Sequence, residues 1–346
     1  MLSFGRIWHW AQIICRTIIK RNYMKPFKTD IAVALIFFNR PEPLKKVFAA
    51  VAEARPSRLY LIQDGARENR PNDKANIEAC REVIKNIDWE CDVVKDYSDI
   101  NLGCGKRIFS GLTNMFQKEE YAAIIEDDIV VGESFLPFVK EMCERYKEDQ
   151  RIQMISGMNH IGVYEDCPYD YFFSKGAGAI WGWATWRSRW MELDWNFEAA
   201  SNPYISMVLD DSFLGNMSGK DLNTKVAAVR NNILKGIPPS FWSLHFGYYT
   251  ALGSRLNIVP KYNLITNIGL TSDATHGQDN IKKIVRRMRP LFYGRRYTLR
   301  FPLKHPDYVL DDQHFMHLQN KIMFKPHVFR LLLEYIERAY IKMFVR

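Results

Sequence analysis

The sequence predicts an α/β protein built on an open, mostly parallel sheet flanked by helices. Two observations carry the prediction. Between residues 31 and 146, short continuous apolar runs alternate with longer helical patterns, the order required when each strand returns through a crossover to a parallel neighbour. The polar residues that break these runs fall at their carboxyl ends, where open α/β sheets bind ligands.

Residues 31–38 form an uninterrupted apolar run, as expected of a strand covered on both faces. Asn39, Arg40, Pro41, Glu42 and Pro43 read as a turn, followed by a helix over 44–54. Residues 58–65 give a second strand ending on Asp64 and Gly65, 72–87 a helix, and 91–97 a third strand. The loop Asn101, Leu102, Gly103, Cys104, Gly105 opens a helix that runs through Phe116. Residues 121–131 read as a strand interrupted by Glu126, Asp127 and Asp128, and 133–146 as a helix. Beyond 151 the alternation weakens and residues 176–190 gather four tryptophans and three glycines. Tryptophan faces stack on sugar C–H surfaces, and glycine permits close backbone approach. Residues 267–277 follow an apolar strand and end in a polar loop bearing His276.

A length of 346 residues suits one large domain, or a domain with an appended segment. Six cysteines without a Cys-x-x-Cys spacing argue against a zinc site and a disulfide framework and fit a reducing cytoplasm. The net charge of +9 is concentrated at the ends: residues 1–28 hold six Lys/Arg and no acid, and residues 281–346 hold fifteen Lys/Arg against five Asp/Glu. The middle is therefore acidic, and no nucleic-acid-binding motif accompanies the charge, so nucleic acid is not an expected partner. The apolar stretch at 4–21 is too short and interrupted to span a bilayer and lacks a small-residue cleavage site. It and the stretch 328–344 both have the pattern of an interfacial helix on an anionic membrane, or of a helix docked on its own domain.

Three consecutive carboxylates at a strand end are costly to desolvate unless a cation or hydrogen-bond donors compensate them. Mg²⁺ or Mn²⁺ holding a diphosphate would do so, since these ions favour a few carboxylate oxygens plus phosphate oxygens. A solvated turn is the alternative for an isolated triplet. Here Asn39-Arg40-Pro41, Asp64-Gly65 and Glu126-Asp127-Asp128 all end strands and should share one crevice. No dinucleotide Gly-x-Gly-x-x-Gly follows the first strand, and Gly103 to Lys106 lacks the spacing of a phosphate loop. Backbone amides at that helix start, with Lys106 and Arg107, would still face a diphosphate, or merely cap a helix. His276, as a neutral imidazole, suits a metal ion or a phosphate oxygen.

Taken together, residues 30–280 or so resemble bacterial glycosyltransferases of the GT-A type, in the hemolysin-activation-like, nucleotide-diphospho-sugar transferase group, and distantly N-acetylglucosaminyltransferase I. The resemblance implies a Rossmann-like GT-A domain over 29–280, with a nucleotide-binding half at 29–150 and an acceptor half at 151–280. A basic amphipathic segment at 1–28 would precede it, and a basic helical extension at 281–346 would follow. By resemblance, Asn39, Arg40, Pro41 and Asp64 would hold base and ribose, and Lys106 or Arg107 the diphosphate. Glu126 and Asp127 would contact ribose or donor sugar. Asp128 would bind Mn²⁺ or Mg²⁺, and His276, from its own chemistry, is the second candidate metal ligand. The loop containing Gly178, Trp181, Gly182 and Trp183 would shape the donor-sugar and acceptor pocket. The implied activity is transfer from a nucleotide-activated sugar, a UDP-sugar in particular, to a glycan or lipid-linked acceptor in surface-polysaccharide assembly. The basic, amphipathic ends fit a cytoplasmic enzyme lying peripherally at the inner face of the cytoplasmic membrane.

One position departs from the pattern: Ser243 stands where relatives carry an acidic residue after a tryptophan. An inverting transferase needs a base within reach of the acceptor hydroxyl, and Asp194, His245 and Asp211 are the candidates, in that order. The departure keeps open a catalytically inactive nucleotide-sugar-binding or scaffolding protein. A sugar nucleotidyltransferase would instead carry a Gly-rich phosphate loop where this chain has Asn39 to Pro43.

Overall fold

The computed structural model describes residues 24–214, 217–270, 281–324 and 328–344. Its centre is β1 (Thr29–Phe37), in which every residue except Asp30 is buried. β1 runs parallel to β2 (Pro56–Gln63) on one side and to β4 (Tyr121–Glu126) on the other, and β2 is parallel in turn to β3 (Asp92–Tyr97). The chain therefore steps outward from β1 to β3 and then returns to β1's opposite edge. That reversal is a topological switch point, and it opens a crevice beyond the carboxyl ends of β1 and β4.

The remaining strands of the main sheet are β6 (Ile152–Ser156), β7 (Tyr171–Ser174), β8 (Trp183–Trp186) and β11 (Leu256–Pro260), giving the order β3-β2-β1-β4-β8-β6-β11-β7. The sheet is mostly parallel but mixed, because β8 is antiparallel to both its neighbours and β7 is antiparallel to β11. The stretch 121–131 is two strands. β4 ends at Glu126, the chain turns at Asp127 and Asp128, and β5 (Ile129–Val131) leaves the main sheet to pair with β12 (Ile265–Asn267). Two adjacent carboxylates are poor residues for a central ladder, and the turn carries them out to the crevice.

Side chains alternate across β1. Val33, Leu35 and Phe37 pack with Leu44, Val47 and Val51 of α1 (Pro41–Ala54) on one face. Ala32, Ala34 and Ile36 face α3 (Cys104–Phe116) through Ile108, Leu112, Met115 and Phe116. α2 (Asp73–Val83) lies between these helices in the chain and ends four residues before the predicted boundary at 87. α1 starts at Pro41, three residues before the apolar periodicity does. Proline fits a first helical position because its missing N–H would be unpaired there. α4 (Phe135–Arg145) covers the first face with Phe135, Phe138, Val139 and Met142.

The second half adds α5 (Arg187–Trp190), α6 (Pro203–Asp210), a short hairpin of β9 (Phe213–Leu214) and β10 (Met217–Ser218), α7 (Gly219–Leu234) and α8 (Ser243–Leu252). Phe197, Leu209, Leu222, Val226 and Tyr248 form its own small core. Within residues 281–324, Leu291, Leu299, Leu303 and Met323 join the main core. α9 (Gln313–Gln319) packs Phe315 and Met316 on Tyr164 and Phe172, and α10 (Val328–Phe344) matches the predicted terminal helix. Most of the amphipathic segment at 1–28 lies outside the described residues. No described helix is long and apolar enough to cross a membrane.

Candidate functional site

A crevice of about 590 Å³ lies beyond the ends of β1, β2 and β4. Asn39, Arg40, Asp64, Glu126, Asp127 and Asp128 all line it, so the three polar strand ends do share one cavity. Its opposite wall comes from Trp181, Asn267, Gly269 and Phe292, with Pro238, Pro239 and Ser240 at the side of α3.

Register explains the meeting of Arg40 with the acidic triplet. Ile36 of β1 pairs with Glu126 of β4, so the chains leave the sheet side by side. The Arg40 guanidinium donates to both carboxylate oxygens of Asp127 and, through Nη2, to Asp128 Oδ2 at 3.1 Å. Asp127 is the more buried partner and Asp128 the more open one, with side chains 6% and 18% exposed. One guanidinium cannot balance three carboxylates. Burial, then the charges of Asp128 and Asp127, push Glu126 up to about 8. Burial pushes Asp127 up to about 6, with Arg40 opposing the rise. The crevice floor thus holds an excess of hard oxygen donors in a setting that favours further positive charge.

Several predicted contacts are spent elsewhere. Asp64 accepts from Gly65 N and Leu102 N on one oxygen, and from Asn101 Nδ2 and Gly103 N on the other, all within 3.1 Å. Both oxygens are occupied, so this carboxylate shapes the 101–103 loop at the crevice wall. Arg107, the other diphosphate candidate, lines the crevice, and its guanidinium donates to Gln63 O at 3.1 Å and to Asp96 Oδ1 at 2.6 Å. It ties the ends of β2 and β3 together. Lys106 is exposed and lies outside the crevice lining. Helix geometry is the reason: Cys104 and Ile108, four apart, face the cavity and leave Lys106 on another side. Pro41, as the first residue of α1, is likewise outside the lining.

The tryptophan-glycine loop divides in the same way. Trp181 lines the crevice, its ring 5.5 Å from that of Phe292. Trp183 lies in β8, fully buried and stacked on Trp242 at 5.3 Å, and is a core residue. Gly178 and Gly182 have φ of +92° and +61°, conformations that glycine adopts without strain. They bend the loop onto the sheet and do not line the cavity.

None of the three candidate bases lines the crevice. Asp194 accepts from Asn196 N at 3.0 Å and Glu198 N at 2.6 Å, securing the turn that follows it. His245 is buried, its ring stacked on Trp195 and Phe197 and its nitrogens directed at the carbonyls of Trp195 and Trp242. Burial pushes its pKa down, as befits a neutral core histidine. Asp211 is exposed just past α6. Ser243 begins α8, and Ser240, three residues earlier, reaches the crevice.

Arg67 is a lining residue that the sequence does not advertise. Asp73 receives Arg67 Nε at 2.7 Å and Nη2 at 2.8 Å, together with Asn39 Nδ2 at 2.8 Å. The guanidinium also sits over the Phe38 ring at 5.2 Å. Arg67 lies in a short charged loop with no periodicity, so only the fold brings it to the cavity.

The fit of a metal can be judged from Asp128. Ile268 N donates to its carbonyl at 2.8 Å, which lays the chain after β12 across this carboxylate. A Cβ at Gly269 would fall 2.3 Å from Asp128 Oδ2, so glycine is what leaves the carboxylate room. Among the described residues no cluster of three or more His, Cys, Asp or Glu forms an all-protein cage. Mg²⁺ and Mn²⁺ need none when phosphates supply the other oxygens, so Asp128 with a neighbouring carboxylate fits such an ion. His276 lies outside the described residues.

No protein-family model and no curated protein matches this chain. Similar solved structures include UDP-glucose pyrophosphorylase complexed with UDP-glucose, 11% identical over 68% of this chain and 91% of that chain, with a TM-score of 0.33. Others are the UTP-bound UGPase from Acinetobacter baumannii (9%, 69% and 88%, TM-score 0.32) and mannose-1-phosphate geranyltransferase from Thermus thermophilus (11%, 69% and 75%, TM-score 0.32). At those values the chemistry has to be argued from the crevice itself.

Proposed function

We propose that this protein is an enzyme of nucleotide-activated sugars, and more specifically a metal-dependent glycosyltransferase. It would take a UDP-sugar as donor and a glycan or lipid-linked acceptor in surface-polysaccharide assembly. The observation that carries the reading is the acidic triplet at the switch point between β1 and β4, partly neutralised by Arg40 and faced by Trp181. Such a floor suits a bound cation and diphosphate, and the aromatic wall suits a sugar ring.

Asp128, the more open of the two carboxylates paired with Arg40, would hold Mn²⁺ or Mg²⁺. Once bound, the ion supplies Lewis-acid stabilisation of the charge that develops on the departing nucleoside diphosphate. Arg40 keeps Asp127 paired, and Asp73 orients Arg67 on the same side of the crevice, beside Phe38 and Asn39, where it adds a further cation to the lining. A sugar nucleotidyltransferase is the second reading, and the segment after β1 is what weighs against it. The chain passes from Asn39 into α1 at Pro41, leaving no Gly-rich loop over a triphosphate.

A thermal-shift screen of nucleotide sugars with and without Mn²⁺ tests the reading. A stabilising shift that needs both ligands, and is lost in Asp128→Asn, is expected. Equal donor binding in EDTA with a silent Asp128→Asn would remove the metal from the proposal.

A further inference from the structure

The function proposed above makes no use of α10. Along it Leu332, Ile336, Tyr340 and Met343 recur at helical spacing on one side, with Leu333 and Tyr335 at the edges. All six are between 49% and 73% exposed. Isolated exposed apolar side chains are ordinary, but a continuous stripe of them marks an interaction surface.

The helix is tethered on another side. Glu337 accepts from Arg286 N at 3.0 Å and pairs with Arg289 Nη2 at 3.0 Å. This lays residues 281–289 beside α10, with Arg286 exposed along its border and Lys342 exposed on the helix itself. The surface is an apolar stripe edged with cations. Charge selects among its possible occupants. Residues 281–289 and 328–344 together hold eight Lys/Arg against two Asp/Glu, a net positive charge whatever pairs form within them, so two copies laid stripe to stripe would press basic borders together. Anionic headgroups would neutralise those borders while the acyl boundary receives the stripe. The same basic segment runs on into Phe292, which packs on Trp181 in the crevice wall.

We infer that α10 and the 281–289 segment dock this protein onto an anionic bilayer, bringing the crevice to an acceptor carried there on a lipid chain. The acceptor part rests on the glycosyltransferase reading; the docking part does not.

Flotation of the full chain with vesicles of phosphatidylcholine, alone or mixed with phosphatidylglycerol, tests the docking. Binding about tenfold tighter to the anionic vesicles, weakening as salt is added, is expected. The double variant Leu332→Gln, Ile336→Gln should lose vesicle binding and keep its circular dichroism and its Mn²⁺-dependent nucleotide-sugar shift. Equal binding to both vesicle types overturns the proposal, as does wild-type binding by the double variant. A wild-type dimer that the double variant dissolves, without vesicle binding by either, assigns the stripe to a second copy instead. Vesicle binding without any nucleotide-sugar shift leaves docking standing and removes the transferase reading, and the converse result removes docking alone.

Discussion

Arg40 and Asp128 meet across the junction of β1 and β4, Nη2 of one lying 3.1 Å from Oδ2 of the other. Nη2 also donates to Asp127 Oδ1 and Nε to Asp127 Oδ2, so one edge of the guanidinium serves both carboxylates. Arg40 is therefore the internal counter-ion of the acidic floor before any ligand arrives. Removing it in Arg40→Gln strands two carboxylates and should cost about 3 kcal/mol in denaturant unfolding. Mn²⁺ should then raise the melting temperature of Arg40→Gln by more than it raises the wild type's, because the competing cation is gone. A variant as stable as wild type in EDTA would show that the pair does not hold the floor together.

Asp128→Asn should behave in the opposite way. It removes a charge from an over-acidic cluster, so folding stability in EDTA should stay level or rise. Transfer activity, measured as nucleoside diphosphate release, should fall about 100-fold or more, as expected when a group that stabilises developing charge is lost.

Gly269→Ala places a methyl 2.3 Å from Asp128 Oδ2 and must displace the carboxylate. Weaker Mn²⁺ binding by isothermal titration is expected, by about tenfold, with a stability cost of only about 1 kcal/mol because the loop can shift. Unchanged Mn²⁺ affinity would separate Asp128 from the ion.

Two tryptophans two residues apart should fail differently. Trp183→Ala empties a fully buried core position and should cost about 3–5 kcal/mol. Trp181→Ala should leave the fold close to wild type and raise KM for donor or acceptor, because its ring is part of the crevice wall. Chemical denaturation and steady-state kinetics on the two variants distinguish the roles.

His160 carries a pH dependence. Its buried Nδ1 has no partner among the described residues, and burial holds its pKa down at about 4 against an ordinary 6.5. The unfolded chain takes up a proton that the folded one refuses, so this contribution is complete above pH 6.5 and is lost as pH falls towards 4. His160→Phe should flatten the stability profile across that window relative to wild type. Parallel profiles would show that the ring protonates without cost.

The parallel half of the sheet was legible because β1 is buried on both faces and its apolar run is uninterrupted. The crevice was legible because strand ends carried polar residues that a buried ladder does not accommodate. The roles of Asp64, Lys106 and Arg107 were not, since each depends on what stands opposite it. Asp64 meets the amides of a loop 37 to 39 residues onward, and Arg107 meets Asp96 on a neighbouring strand. His245 looked like a base from its chemistry alone, whereas the fold packs it against Trp195 and Phe197.

What the sequence determined by itself was the alternation of strands and helices and the placing of Glu126, Asp127 and Asp128 at the end of one of them. Those follow from local periodicity and from the cost of burying charge in a ladder. What only the tertiary structure decided was the pairing. The return of β4 to the free edge of β1 set Arg40 against Asp127 and Asp128, 87 and 88 residues onward. The departure of β5 to β12 set Gly269 against Asp128. Register and strand order are long-range properties, fixed by which faces bury together, and no local pattern encodes them.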